Sequence, residues 1–551
     1  MDYDKLAELL FPEITDDPDQ YELQYPQRDL PEGARVTRLA PSPTGFIHLG
    51  NLFSAFADER IAHQSGGVFY LRIEDTDDKR FVEGAVETVI RSLDYFRIHF
   101  DEGASMDGDQ GAYGPYHQSQ RAEIYQAYVK RMIRRGQAYP CFLTAEELTE
   151  IRRQQEEKQH NPGIYGEYAV CRNYTLEEVQ EKIDAGKPYV IRLRSDGAAD
   201  QSRTITVTDA IRGDITMPEN NMDIVLLKAN GIPTYHFAHA VDDHLMRTTH
   251  VIRGEEWLSS LPVHVELFEK IGWEHPVYCH TAHLMKIGEN GTKRKLSKRK
   301  DPELSLDYYR QDGYHPEAVR EYLLTLLNSN FEEWRIANPD ADADDFEFSA
   351  GKMSNSGALF DLDKLNDVCK DVLVKIPAAE LAVFLKNWAA EFRPEILPLL
   401  EGRDDYLEKI LDLGRTGNKP RKDLINAKQI FEFISYFFDE YFKQEDALPE
   451  RVSAEDARAI MAAYQETYDH SDTQEEWFNK IRDLGEALGY AKKPKDFKKH
   501  PEEFKGHVGD VSTVIRLAVT GRSQSPDIWE IQQILGEEKT KNRLAVFEQS
   551  I

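Results

Sequence analysis

Long apolar runs are missing from this chain. No uninterrupted stretch among its 551 residues approaches the ~20 apolar residues that a bilayer span needs, which excludes an integral helical membrane protein. Cysteine is scarce. Cys141, Cys171, Cys279 and Cys369 are widely scattered and make no disulfide framework. The amino terminus, Met1-Asp2-Tyr3-Asp4-Lys5, lacks the basic-then-apolar order of a secretion signal, so the expected location is the cytoplasm. Positive charge is also in deficit: 68 Lys and Arg against 98 Asp and Glu, a net −30. On average charge alone a nucleic-acid partner would be discounted. No Ser/His/Asp or Cys/His arrangement stands out, and neither does an internal repeat or a long low-complexity tract. Covalent hydrolase chemistry and solenoid architecture are therefore not indicated.

What is present reads as a large soluble globular protein. Hydrophobic residues make up 40% and charged residues 30% of a length that suggests three or four domains. The phosphate backbone of a nucleic acid meets local charge, not the average. Lys293 to Lys300 carries six basic residues in eight, and Arg415–Lys422 and Lys492–Lys499 are further basic runs. Three such runs on an acidic background favour a polyanionic partner. The segment Arg35–Ala40 reads as a strand. Leu52, Phe53, Phe56, Ala57 and Ile61 recur at helical spacing, Gly66-Gly67 stops that helix, and Val68–Ile73 reads as a second strand. This is a βαβ unit of the doubly wound type, with Glu74 and Asp75 at the strand end where such sheets bind ligands. Residues 1–33 are expected to add a helix and an extended segment. From about 140 to 222 the alternation breaks into an α+β insertion, and it is expected to resume at Asp223–Lys228. The acidic stretch Asn338–Asp345 reads as an exposed loop, and from about 300 onward the pattern is helical.

Two short segments carry chemistry. In Arg38-Leu39-Ala40-Pro41-Ser42-Pro43-Thr44-Gly45-Phe46-Ile47-His48-Leu49-Gly50-Asn51, a turn delivers His48 to a helix start, where backbone N–H groups and imidazole donate to phosphate oxygens. Gly50 removes a side chain where a base needs close backbone approach. In Lys295-Leu296-Ser297-Lys298-Arg299, two lysines three residues apart on a loop can meet the charge of a departing pyrophosphate. For each, the plain alternative is a helix-start histidine or a solvated basic loop. Their order along one chain, with Ile73-Glu74-Asp75-Thr76-Asp77 between them, favours the functional reading.

These segments resemble the two signature motifs of the class I aminoacyl-tRNA synthetases, and the surrounding sequence resembles the bacterial-type glutamyl-tRNA synthetases from about residue 34 to the end. The resemblance implies an α/β plus all-α fold: a Rossmann-type catalytic domain with an inserted α+β domain, then a helical anticodon-binding region. The implied divisions are 1–33, an extension; 34–139 and 223–290, the catalytic halves; 140–222, an acceptor-binding insertion; 291–370, the lysine-motif loop and stem-contact domain, including Asp361-Leu362-Asp363-Lys364-Leu365; and 371–551, the helical region, including Val519–Asp527. The implied activity joins L-glutamate to ATP-Mg²⁺ as glutamyl-adenylate, then transfers it to the terminal ribose of tRNA-Glu, with tRNA-Gln left open, and activation is expected to require tRNA. His48, Lys295 and Lys298 are the implied catalytic residues. His48, Gly50, Asn51, Glu256, Trp257 and both lysines are expected at ATP. Arg38, Ala40, Ser42, Glu74, Tyr235, His239 and Arg253 are expected around glutamate, with Glu74 on the α-ammonium and Tyr235 as an aromatic wall. His239 falls where many relatives carry asparagine. Arg253 would pair with the side-chain carboxylate, since a bidentate Arg–carboxylate pair is selective, whereas a strand-end arginine could also be paired by a local acid such as Glu255. An enzyme that glutamylates a modified tRNA base shares the catalytic half but has no anticodon domain, and the roughly 180 residues after Lys370 oppose it. Some relatives hold Zn²⁺ in the insertion through Cys-x-Cys and Cys-x-His pairs. Here those stretches read Cys141-Phe142-Leu143 and Cys171-Arg172-Asn173, so no zinc and no metal ligands from side chains are expected. A monomer is the expected state.

Overall fold

The computed structural model describes residues 1–43, 47–77, 82–198, 200 and 202–551. The Thr44-Gly45 turn before the first catalytic helix lies outside the described residues. The chain forms two compact units, residues 1–308 with 320–361, and residues 309–319 with 362–551.

The first unit opens with two helices, α1 (Tyr3–Leu10) and α2 (Pro18–Gln24). The expected extended segment is thus helical over α2: Asp17 caps the Asp19 amide and Pro18 occupies the first turn, where its missing N–H costs nothing. The α/β layer begins with β1 (Val36–Leu39), α3 (Leu49–His63) and β2 (Val68–Leu71), followed by α4 (Ala85–Tyr95), β3 (Glu102–Gly103) and α5 (Ala122–Arg134). Strands β1, β2 and β3 are parallel, in register Val36↔Val68 and Tyr70↔Glu102. Both faces of β1 are buried, as expected for a parallel strand covered by helices. At Gly67 a Cβ would lie 1.9 Å from the Arg35 carbonyl, so the close approach of the two strand starts requires glycine there. The two N-terminal helices pack on α5. Its Lys130 donates to Glu8 Oε2 and to the carbonyls of Phe11 and Ile14 at 2.8–2.9 Å, which ties the extension to the catalytic layer.

Next come β4 (Ala138–Cys141), α6 (Ala145–Glu157), α7 (Leu176–Asp184), β5 (Val190–Leu193), β6 (Thr204–Asp209), β7 (Gly213–Pro218), β8 (Val225–Leu227), α8 (Tyr235–Leu245), β9 (His250–Gly254), α9 (Leu261–Ile271), β10 (Val277–Thr281), β11 (Leu284–Ile287) and β12 (Lys293–Lys295). The strand partners differ from the sequence expectation. Strand β8 does not return to the catalytic sheet; it completes the antiparallel β4-β5-β8 sheet. The β6–β7 hairpin, from inside the expected insertion, instead joins a sheet ordered β7-β6-β10-β9, with Asp209 opposite Tyr278. A short apolar run such as Ile224–Leu227 marks a buried strand but carries no information about its partner. Strand β9 lies beside β1, where the Thr249 amide donates to the Val36 carbonyl at 2.9 Å. Asn338–Asp345 is also not an idle loop: Arg60 donates to the carbonyls of Ala343 and Asp344, and Arg320 to the Asp344 carboxylate.

In the second unit, helices including Ala378–Phe392, Asp404–Asp412, Ala427–Ile434, Ala454–Thr467, Gln474–Ala487, Val508–Thr520 and Glu537–Ser550 surround one apolar core, with Leu385, Leu407, Ile430, Ile460, Val514 and Leu544 fully or almost fully buried. The basic run at Arg415–Lys422 is partly structural. Arg415 is buried and donates to the carbonyls of Leu373 and Ile376, and Lys422 pairs with Asp371. In the Lys492–Lys499 run, Lys493, Lys495, Lys498 and Lys499 are exposed. Among the described residues no helix is long and apolar enough to cross a membrane.

Candidate active site

A cavity of about 400 Å³ opens beyond the carboxyl ends of β1, β2, β9 and β10, where α/β sheets bind ligands. Arg38, Ala40, Ser42, His48, Gly50, Asn51, Glu74, Tyr235, Arg253, Glu256, Trp257 and Lys295 all line it. Twelve sequence candidates spread over more than 250 residues thus meet at one surface. Two do not line it. Lys298 lies exposed on the turn after β12. His239 is fully buried behind Tyr235, the two rings stacked 5.9 Å apart, with Nδ1 2.6 Å from Asp243 and Nε2 3.1 Å from the Tyr278 hydroxyl. It supports the wall of the cavity.

His48 is the N-cap of α3. Its Nδ1 accepts from the Asn51 amide at 3.3 Å while the Asn51 side chain accepts from the His48 amide at 3.1 Å, a reciprocal capping box. This bond leaves the ring proton on Nε2. Burial lowers the pKa, and Lys295 and Lys298 lower it further against Glu256, so the ring is a neutral donor near pH 7. A Cβ at Gly50 would sit 3.0 Å from the His48 ring, so glycine there also makes room for the imidazole. Lys295 ends a strand and is not part of the loop; its Nζ lies 3.2 Å from His283 Nε2. The turn carrying Lys298 is anchored by Asp301, which accepts both Arg294 Nη atoms at 2.6 and 2.7 Å and the Ser297 amide at 2.7 Å. Those bonds, Arg294 first, hold the Asp301 carboxyl down at about 2.

Beneath the cavity lies a chain of buried charges. Asp243 accepts from Arg72 Nη1 at 2.6 Å and Arg38 Nε at 3.1 Å. Asp242 accepts from Arg121 Nε at 2.7 Å, Gln118 at 2.9 Å and the Tyr125 hydroxyl at 2.7 Å. Arg72 Nη2 also reaches Glu74 at 3.3 Å. Burial alone would push the Asp243 pKa up, but Arg38, Arg72 and His239 bring it well below the usual carboxylate range. Glu74 goes the other way: burial raises it to about 6 despite Arg72 and Arg38.

Arg253, at the end of β9, is built differently. Its Nε donates to His280 Nε2 at 2.9 Å, and its Nη1 lies 3.3 Å from the Tyr235 hydroxyl and 3.1 Å from His264 Nδ1. Its Nη2 is buried without a hydrogen-bond partner among the described residues. The neighbouring Glu255 pairs with Arg212 instead, so the local acid does not neutralise it. Burial holds His239 down at about 4 and His264 well below its ordinary range, and lowers His236 and His280 as well. A buried cation is thus surrounded by neutral rings, an arrangement that awaits an anion. Arg72, Asp242, Asp243, His264, His280 and His283 escaped the sequence reading. The one available signal was Asp242-Asp243 within an otherwise apolar helix face, since buried adjacent carboxylates demand cations.

Cys141 and Cys171 are buried together in the insertion. They pack with Tyr139 under Leu143, Tyr174 and Val190. Among the described residues, the one cluster with ligand spacing is the exposed set His500, Glu502 and Glu503, far along the chain.

The sequence matches the family described as tRNA synthetases class I (E and Q), catalytic domain, over residues 35–367, and an anticodon-binding domain over residues 380–547. It is 64% identical to a glutamate–tRNA ligase of Acetivibrio thermocellus over 545 residues, covering 99% of each chain. It is 43% identical to that of Sorangium cellulosum, covering 96% of this chain and 97% of the relative. A solved glutamate tRNA ligase from Elizabethkingia meningosepticum, in complex with its amino acid, superposes with a TM-score of 0.74 at 29% identity, covering 94% of this chain and 99% of that one.

Proposed function

The chain belongs to the class I tRNA synthetases for glutamate and glutamine and is a glutamate–tRNA ligase that uses ATP, glutamate and tRNA, and on that premise we propose how its own residues divide the work. The observation that carries the reading is one cavity holding an uncompensated guanidinium, Arg253, and a buried carboxylate, Glu74. That charge pattern complements a ligand with an ammonium group and a carboxylate side chain. Arg253 takes the side-chain carboxylate and Glu74 the α-ammonium. Arg38, clamped by Asp243, together with Ala40, Ser42 and Tyr235, shapes the remaining wall. The α-carboxylate then attacks the ATP α-phosphorus, and the P–O bond to pyrophosphate breaks. No protein nucleophile is needed, only positioning and charge stabilisation. Neutral His48 donates from Nε2 to phosphate oxygens. Lys295 and Lys298 meet the charge growing on the leaving pyrophosphate, while Gly50, Asn51, Glu256 and Trp257 hold the nucleotide. In the second step a terminal ribose hydroxyl of tRNA attacks the acyl carbon and AMP leaves.

Magnesium would arrive with ATP and would supply charge neutralisation at its phosphates. The insertion, residues 140–222, takes the acceptor end, residues 371–551 read the anticodon, and the enzyme works as a cytoplasmic monomer. The insertion is read as holding no zinc, because among the described residues no third or fourth ligand stands with the two packed thiols to close a tetrahedral site. A stoichiometric zinc that is lost with Cys141→Ser would overturn this. The central test is pyrophosphate exchange with and without tRNA. Exchange should need both glutamate and tRNA, fall steeply in Glu74→Gln, and show no stimulation by glutamine. Normal exchange in Glu74→Gln would remove that residue from the site.

A further inference from the structure

We propose that Asp209 and His280 form a positioning pair that orients Arg253 and thereby sets the preference for glutamate over glutamine. This rests on reading Arg253 as the residue that takes the side-chain carboxylate. A guanidinium has no acceptor, so every ring nitrogen that faces it must present a lone pair. His280 meets this requirement in only one tautomer. Its Nε2 accepts from Arg253 Nε at 2.9 Å, so the ring proton is on Nδ1, which donates to Asp209 Oδ2 at 2.7 Å.

Asp209 is fixed more firmly than either of them. The same Oδ2 accepts the His280 amide at 3.0 Å, and Oδ1 accepts the amides of Ile211 and Arg212 at 2.9 and 3.0 Å. Both Asp209 and His280 are buried, at 1% and 0% exposure. Asp209 ends β6, so the hairpin that the tertiary fold adds to the catalytic sheet delivers a carboxylate to the back of the substrate pocket. The turn is held a second time by Arg212, whose Nε donates to the His280 carbonyl at 3.1 Å.

On the other flank of Arg253, His264 Nδ1 is backed through Nε2 by His236 at 3.0 Å, a second neutral ring. With Nδ1 accepting from Arg253, His264 must donate from Nε2 to His236, so that flank ends on a neutral ring. The Asp209 flank ends on a carboxylate, which accepts only and is the stronger anchor. Selectivity between a carboxylate and an amide depends on presenting the unpartnered Nη2 donors at a set angle. With Nε held by His280, the plane of the guanidinium is set before the substrate arrives.

The test uses the full-length enzyme in aminoacylation. Asp209→Asn lets His280 turn a proton toward Arg253 Nε, placing donor against donor, the wrong-tautomer situation. The glutamate KM should rise about 10–100-fold, with kcat within about threefold and the KM for ATP and tRNA within about twofold. The ratio of glutamate to glutamine use should fall by a similar factor. Asp209 also caps a turn, so the decisive pair is His280→Leu and His280→Gln. Leucine removes the acceptor and should match Asp209→Asn, whereas the glutamine Oε1 can still accept from Nε and should restore the KM to within about threefold. In an Arg253→Ala background, His280→Leu should add less than about twofold. Equal KM values in His280→Leu and wild type would overturn the pairing, as would a kcat loss shared by ATP and glutamate. If Arg253→Ala itself retains a wild-type glutamate KM, the carboxylate reading fails. If Arg253→Ala loses glutamate and His280→Leu does not, only the positioning role fails.

Discussion

Two regions within one catalytic unit bury arginine in opposite ways. Arg38, Arg72 and Arg121 lie among Glu74, Asp242 and Asp243, three cations against three carboxylates. Arg253 lies among His236, His239, His264 and His280, with no carboxylate partner among the described residues. The first region is closed upon itself, and its desolvation cost is offset within the protein. The second is left one negative charge short. Compensation suits a scaffold, and its absence at Arg253 is what supports the proposal that ligand charge completes that region. Glu74 joins the two, since it belongs to the balanced network yet lines the cavity.

The comparison is broken most severely by removing the shared acid. Asp243→Ala leaves Arg38 and Arg72 buried with one counter-charge fewer and should lower the unfolding free energy by about 3–5 kcal/mol, read by urea denaturation with activity as a second probe. A stability within about 1 kcal/mol of wild type would show that the network is not scaffold. Arg253→Ala should do the reverse, costing about 2–5 kcal/mol in kcat/KM for glutamate while the denaturation midpoint stays level or rises, because an unpaid buried charge has been removed. A large stability loss in this variant would mean that Arg253 also holds the fold together.

Lys298→Ala tests the nucleotide role proposed for the turn after β12. The adenylation rate should fall about 10²–10³-fold with little change in glutamate KM, since the lysine acts on charge that develops in the transition state. A raised glutamate KM at a normal rate would reassign it. Acid titration sharpens the role of Glu74. Its carboxyl is held at about 6 by burial, and only the ionised form accepts an ammonium group. Below pH 6 the kcat/KM for glutamate should therefore drop about tenfold per pH unit, and Glu74→Gln should lack that acid limb. The smallest effect belongs to the cap: Asn51→Ala opens the His48 capping box and should cost about 0.5–2 kcal/mol of stability.

The sequence alone determined the elements that depend on near neighbours. The βαβ start and the two motifs follow from spacings of a few residues, and the family resemblance named twelve of the residues that line the cavity. Tertiary structure decided whatever depends on which distant segment comes to lie alongside. It paired β8 with β5 and gave the β6–β7 hairpin to the catalytic sheet, because a buried apolar strand carries no record of its partner. It also turned the expected extended segment at the amino terminus into a second helix against α5, moved His239 from the pocket surface to its support, and committed Arg415 to backbone carbonyls. Charge balance belongs to the same class. Arg38 and Asp243 are 205 positions apart and His280 and Asp209 are 71 apart, and whether a buried arginine is scaffold or receptor depends on the charges within a few ångströms of it, which only the folded chain assembles.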